Sequence, residues 1–155
     1  MIKLSNLADY AVELMSFIAL KPDEIHSAAE ISCLSKIPAP TVSKILGMLV
    51  RGDLLCSHRG LKGGFSLARP AEKISIAHII EVVDGPVQLT NCLDEEKTGC
   101  ERHANCGTRS QWFRINQAVK QALGSVLLSD MVDHVPDFLR DGGVDDLSFI
   151  SKELN

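Results

Sequence analysis

The sequence predicts a mainly α fold with one small β-hairpin, and three stretches predict it. Two short helical patterns meet at a tight turn over 35–39, and the second opens at Pro40, a residue suited to the first position of a helix. Residues 54–59 and 65–68 read as strands around a glycine-rich turn containing Gly60, Gly63 and Gly64. From Thr108 or Ser110 to about Leu127, apolar residues recur at helical spacing. Helix, turn, helix and hairpin in that order make a winged helix-turn-helix, here followed by a long dimerisation helix.

Taken in order, Ser5 or Asn6 caps a first helix that runs to about Leu20 and stops at Pro22. Leu7, Ala11, Leu14, Met15 and Ile18 form its buried stripe. Asp9 and Glu13 lie one turn apart on another face, where a solvated charge is the ordinary reading. Ser27 caps a second helix from Ala28 to about Leu34, with Ile31 and Leu34 turned inward and Cys33 packed as a small residue. The third helix runs from Pro40 to Arg51, and Gly52 ends it. Val42, Ile45, Leu46 and Leu49 face its core side, leaving Thr41, Ser43, Lys44 and Gly47 outside. In the wing, Arg59 and Lys62 lie near the tip, and Cys56 reads as strand packing. Ser75 caps a fourth helix from Ile76 to about Asp84, striped with Ile76, Ile79, Ile80 and Val83 and broken by Gly85-Pro86. In the long helix, Trp112, Ile115, Val119, Ala122 and Val126 make a seam of about two heptads, flanked by Leu123 and Leu127. The seam suits a dimer, with packing on the same chain as the alternative. A short helical turn over 128–132 precedes a loose acidic tail.

At 155 residues, 45% hydrophobic and 23% charged, the chain is long enough for one domain with an appendage. No apolar run approaches the roughly 20 residues of a membrane helix, and the N-terminus does not resemble a signal peptide. A cytoplasmic location with no membrane partner is the expectation. The five cysteines are an odd number, which argues against a disulfide framework and toward metal, redox or packing roles. The net charge of −4 speaks against nucleic acid, but its distribution reverses that. Over 36–73 the basic residues Lys36, Lys44, Arg51, Arg59, Lys62, Arg69 and Lys73 face only Asp53 and Glu72 as acids. Such a local basic surface is an electrostatic footprint for phosphate. Thr41, Ser43 and Lys44 suit a helix in the major groove of double-stranded DNA, and Arg59 and Lys62 suit a wing over the backbone and minor groove. An ordinary helical hairpin with solvated charges is the bland alternative. No nucleotide motif or obvious substrate pocket accompanies the histidines, and His58 and His103 read as surface or contact residues. The chain is not expected to be an enzyme.

Between the fourth helix and the long helix lies a loop with Cys92, Cys100 and Cys106, three thiols in fifteen residues. A structural zinc site usually carries a Cys-x-x-Cys knuckle, which this loop lacks. The wide intervals suit three thiolates around a larger object such as an iron–sulfur cluster. Zinc held by three Cys with a His or Asp, and free redox thiols, remain open alternatives. A fourth ligand must come from His103, from a carboxylate or from elsewhere in a dimer.

These residues resemble a known family, the bacterial winged-helix, iron–sulfur cluster-dependent transcription regulators. It includes the isc operon regulator IscR, the nitric-oxide-sensitive repressor NsrR and the SUF operon regulators. The resemblance spans about Leu4 to Met131. It rests on Asp9-Tyr10-Ala11-Val12 in the first helix and the Pro40 to Leu46 run in the third. It rests also on Ser57-His58-Arg59-Gly60 and Gly63-Gly64-Phe65 in the wing, on Ile79-Ile80 with Val83-Asp84-Gly85, and on the three loop cysteines. The Ser27 to Glu30 and Ser57 to Gly60 runs look closest to the SUF operon regulators.

The resemblance implies a homodimer with one cluster per subunit, [2Fe–2S] or [4Fe–4S], held by Cys92, Cys100 and Cys106. It implies a regulator, by expectation a repressor, of a SUF-type iron–sulfur assembly operon. A nitric-oxide-responsive repressor on the same fold, or a zinc-stapled winged helix that binds protein, are the alternatives. Two departures stand out: the first cysteine interval is longer than in the isc regulator, and that regulator's ligand histidine position is Arg109 here. An arginine cannot ligate a metal. The resemblance to the nitric-oxide-sensitive relative makes Asp9 of the opposite subunit the expected fourth ligand, with Glu13 and His103 behind it. The expected organisation is 1–86 as the DNA-binding domain, its first helix also contributing to the dimer. Residues 87–107 then form the cluster loop, 108–134 the dimerisation region and 135–155 the tail.

Overall fold

The computed structural model describes residues 3–90, 93 and 106–132. Its hub is α1 (Asn6–Leu20), which packs against α2 (Ala28–Ser35), α3 (Ala39–Arg51), α4 (Ile76–Asp84), α6 (Leu128–Val132) and the strand β2 (Gly64–Leu67). Its inward stripe, Ala8, Ala11, Leu14, Met15, Ile18 and Ala19, is buried at the helical period. Three serines start helices as the sequence predicts. Ser5 Oγ accepts from the Ala8 N–H, Ser27 Oγ from the Glu30 N–H and Ser75 Oγ from the His78 N–H. Each satisfies a donor that the first turn leaves without an intrahelical partner.

α2 departs from expectation. Ile31 is buried, but Leu34 is 42% exposed and Cys33 lies at the surface. The helix has only two turns, and its cap Lys36 adopts a left-handed φ of 56°. That turn swings Ile37 into the core at 5% exposure, in the place expected of Leu34. α3 then opens with Pro40 in its first turn and buries Val42, Ile45, Leu46 and Leu49. Gly52 caps it with an ordinary φ of −88°, and the left-handed residue is the next one, Asp53. Glycine is required at 52 for space. A Cβ there would lie 2.5 Å from Val82, closer than carbon atoms approach, so α4 packs directly on the end of α3.

The wing pairs β1 (Leu55–His58) with β2, antiparallel, in the register Leu55↔Leu67 to His58↔Gly64. Only Leu55 of β1 is buried, because a two-stranded ribbon has no layer on its outer face. Cys56, expected to pack, therefore points to solvent. The root of the wing is held by a third chain segment. His26 and Phe65 exchange both backbone hydrogen bonds, at 2.9 and 2.8 Å. Gly64 lies so close to the His26 carbonyl that a Cβ would collide with it.

Beyond a 3-10 turn (Ala71–Lys73), α4 runs to Gly85. The long helix, α5 (Arg109–Ser125), ends two residues before the expected Leu127. Leu127 instead forms a bridge with Ser75, flanked by Ile76 N–H to Val126 O at 2.9 Å and Leu128 N–H to Ile74 O at 2.8 Å. Leu128 is wholly buried in the core, so α6 closes the domain against α1. Residues 133–155, which include the expected tail, lie outside the described residues. No helix among the described residues is long and apolar enough to cross a membrane.

Candidate nucleic-acid interface and cysteine loop

With its four apolar residues turned inward, α3 presents Ser43 and Lys44 to solvent and leaves Thr41 and Gly47 half-buried. These are small or cationic side chains, the types that let a helix approach base edges and phosphates. At the wing, His58, Arg59, Leu61 and Lys62 are all exposed, and Leu61 stands fully free of the fold. His58 Nε2 lies 2.8 Å from Ser66 Oγ across the hairpin, which ties the two strands just below Arg59. Arg69 has a different role from its neighbours in the basic run. Its guanidinium donates to the Asp53 carbonyl at 2.9 Å and fastens the foot of the wing to the turn after α3. The sequence-predicted DNA residues Thr41, Ser43, Lys44, Arg59 and Lys62 thus all reach the surface, or its edge, on the third helix and the wing.

Of the cysteine loop, Cys92, Cys100 and His103 lie outside the described residues. Cys106 is half-buried, with its Sγ 3.5 Å from Thr108 Oγ1. Among the described residues no three His, Cys, Asp or Glu side chains gather as a metal site. The donor set itself fits iron. Three thiols on one loop are soft ligands, and they leave a position for a harder or labile fourth donor. Asp9 is exposed on the first turn of α1. Glu13 is also exposed, and its carboxyl is held above the ordinary glutamate range, first by partial burial and second by the Asp9 charge. The two carboxylates therefore share one face of α1, as their spacing predicts.

The structure also shows how the loop is anchored, which the sequence reading missed. At its entrance, the Ser5 hydroxyl donates to Asp84 Oδ1 at 2.6 Å and the Ser5 N–H lies 3.3 Å from Oδ2. The start of α1, and Asp9 with it, is thus tied to the end of α4, where the loop departs. A few residues on, Asn116 of α5 takes hold. The Leu89 N–H donates to its Oδ1 at 2.9 Å, and its Nδ2 donates to the Val87 carbonyl at 3.0 Å. One turn further, Lys120 Nζ sits 2.7 Å from Glu81 Oε1, a buried oxygen whose partner is that ammonium.

The same contacts decide which side of α5 meets its own chain. Asn116, Val119, Leu123 and Leu127 turn toward the fold, and Leu123 packs on the core. Of the expected seam only Val119 is among them. Trp112, Ile115, Ala122 and Val126 remain exposed, as does Phe113. Asn116 could have been found as the start of a second stripe, spaced 3, 4 and 4 and displaced by one residue from the heptad seam.

A family model described as Rrf2, iron-dependent transcriptional regulator, matches residues 4–134. The HTH-type transcriptional regulator IscR of Xenorhabdus nematophila is 31% identical over 131 residues, covering 84% of this chain and 79% of that protein. Among solved structures, CymR (YrzC), the global cysteine regulator of B. subtilis, superposes with a TM-score of 0.71 at 26% identity. That match covers 88% of this chain and all of that one. The T. potens IscR structure shares the fold at a TM-score of 0.67 and 21% identity, covering 96% of each chain.

Proposed function

The chain belongs to the Rrf2 family of transcriptional regulators, and on that premise we propose that it senses iron–sulfur cluster status and controls a SUF-type iron–sulfur assembly operon. Family membership makes it a DNA-binding winged-helix regulator and not an enzyme. The finer reading rests on one observation. Three thiols sit on a loop whose entrance is hydrogen-bonded to α1 and α5, between the reading head and the long helix.

In this reading residues 1–86 form the DNA-binding domain, 87–107 the cluster loop, 108–134 the dimerisation region and 135–155 a tail. Cys92, Cys100 and Cys106 hold the cluster together with Asp9 of the partner subunit. When bound, the cluster supplies iron that reacts with oxygen or nitric oxide. The protein's own residues do the rest. Thr41, Ser43 and Lys44 enter the major groove, while Arg59 and Lys62 follow the backbone into the adjacent minor groove. The exposed α5 face of Trp112, Ile115, Ala122 and Val126 joins two copies in a homodimer, which spaces two recognition helices for a two-fold operator in the cytoplasm. The exposure of that face, beside a stripe that already meets its own chain, supports this assignment.

Anaerobic reconstitution with iron and sulfide, read by visible absorption, tests the cofactor. A coloured protein is expected, with operator affinity that changes on loading. A colourless protein holding stoichiometric zinc overturns it. Reconstituting Asp9→Ala beside wild type tests the fourth ligand. An altered spectrum or a shorter lifetime in air is expected, and an unchanged one moves the role to Glu13 or His103. The likeness to CymR favours a second reading, a regulator of the same fold answering to another signal. It predicts full operator affinity indifferent to iron loading.

A further inference from the structure

We infer that Asn116 is the positioning residue through which the state of the cysteine loop reaches α5. This rests on the reading that the loop holds a cluster. Asn116 is the only buried residue of α5, at 8% exposure, on a helix whose large apolar side chains Trp112, Phe113 and Ile115 are exposed. A helix that buries an amide while exposing its largest apolar residues is placed in part by that amide's partners. Those partners are the Val87 carbonyl and the Leu89 N–H, the first backbone groups beyond the Gly85-Pro86 break. An asparagine amide offers one acceptor and donors a short distance apart, which matches the outward C=O and N–H of residues two apart in an extended chain. Asp lacks the donor, and Leu lacks both groups.

The consequence is a loop with both ends on one helix. Cys106 lies three residues before Arg109, where α5 starts, and the Arg109 N–H reaches its carbonyl at 3.4 Å. Leu89 lies three residues before Cys92 and is held at Asn116, seven residues along the same helix. That is an axial offset of about 10 Å. In this inference a change in the span from Cys92 to Cys106 is transmitted to α5 at Asn116, where the loop's entrance is held. The Lys120–Glu81 pair one turn on joins α5 to α4 and, among the described residues, shares no hydrogen bond with Val87 or Leu89. It is a built-in control for general loosening of the helix.

The test compares wild type, Asn116→Leu and Lys120→Met, each with and without reconstituted cluster. In the metal-free proteins, amide hydrogen exchange at Leu89 should speed up in Asn116→Leu and not in Lys120→Met. In wild type, operator affinity should differ between loaded and unloaded forms by about 5–150-fold, the ordinary range for coupled sites. In Asn116→Leu the cluster should still load, but that ratio should shrink to within about twofold of one. Lys120→Met should keep it. If Asn116→Leu fails to fold, Asn116→Asp, which keeps the shape and loses the donor to Val87, takes its place. A variant that loads and retains the wild-type ratio overturns the inference, as does an equal collapse in Lys120→Met. A wild type that takes up no cluster, or binds its operator equally in both states, overturns the underlying reading and the inference with it.

Discussion

At the scale of single residues, two side chains carry predictions that do not depend on one another. Arg59 stands exposed at the wing just above the His58–Ser66 tie, so its guanidinium is presented by a braced strand. Arg59→Ala should weaken operator binding by about 1–3 kcal/mol in a fluorescence-anisotropy titration. An unchanged affinity removes Arg59 from the interface. Asp9 raises the proton affinity of Glu13, after the larger effect of partial burial. The folded protein thus holds the Glu13 proton to higher pH than the unfolded chain does. It binds more protons folded than unfolded, so stability falls as pH rises through and just above the ordinary glutamate range. Asp9→Asn removes the like charge. It should lower the titration midpoint of Glu13 in the metal-free protein at low salt, and less so at high salt. A carboxylate NMR titration of Glu13 in both proteins checks the sign.

At the scale of elements, the wing and α5 are each held by contacts from distant sequence. Because the His26 carbonyl occupies the space a Cβ would need, Gly64→Ala should push β2 off its third segment. An overpacked site of this kind costs about 1–3 kcal/mol, measurable by urea unfolding. Operator affinity should fall with it, since Arg59 and Lys62 ride on the same hairpin. On α5, Ile115 belongs to the exposed seam, at 46% exposure, and is not among the residues packed on the core. Ile115→Glu should raise the dimer dissociation constant at least about tenfold, or 1.4 kcal/mol, in sedimentation equilibrium, with helical circular dichroism retained. A dimer of unchanged affinity locates the interface on another surface.

At the scale of the whole molecule, an acidic protein with net charge −4 carries a basic reading head. Log operator affinity should fall with log salt by about 0.9 for every phosphate neutralised, despite the protein's overall sign. Affinity independent of salt would mean that the basic run over 36–73 is a solvated surface. The ties around the loop give the molecule its other global property. Ser5–Asp84 joins the entrance of the loop to α1, and Asn116 joins it to α5. The entrance of the loop is thus fastened both to the helix that is the hub of the core and to the helix that carries the exposed seam.

The elements themselves were legible in the chain because their signals are local. The serine caps, the apolar stripes of α1, α3 and α4, the paired Asp9 and Glu13, and the hairpin around its glycines all depend on residues a few positions apart. The exposure of Ser43 and Lys44 follows from the same helical period, and that of Arg59 and Lys62 from the hairpin tip, while Thr41 is half-buried and the thiol triplet is a matter of composition. What the periodicities leave open is which of two neighbouring faces a helix turns inward. Leu34 and Ile37 are both apolar, and only the left-handed turn at Lys36 puts the second one in the core. On α5 the heptad seam and the stripe starting at Asn116 differ by one residue, and the fold chose between them. That choice is made by partners 27 and 29 residues apart in sequence, in the Asn116 clamp. Such pairings form only once packing has closed the intervening chain, so no local pattern encodes them.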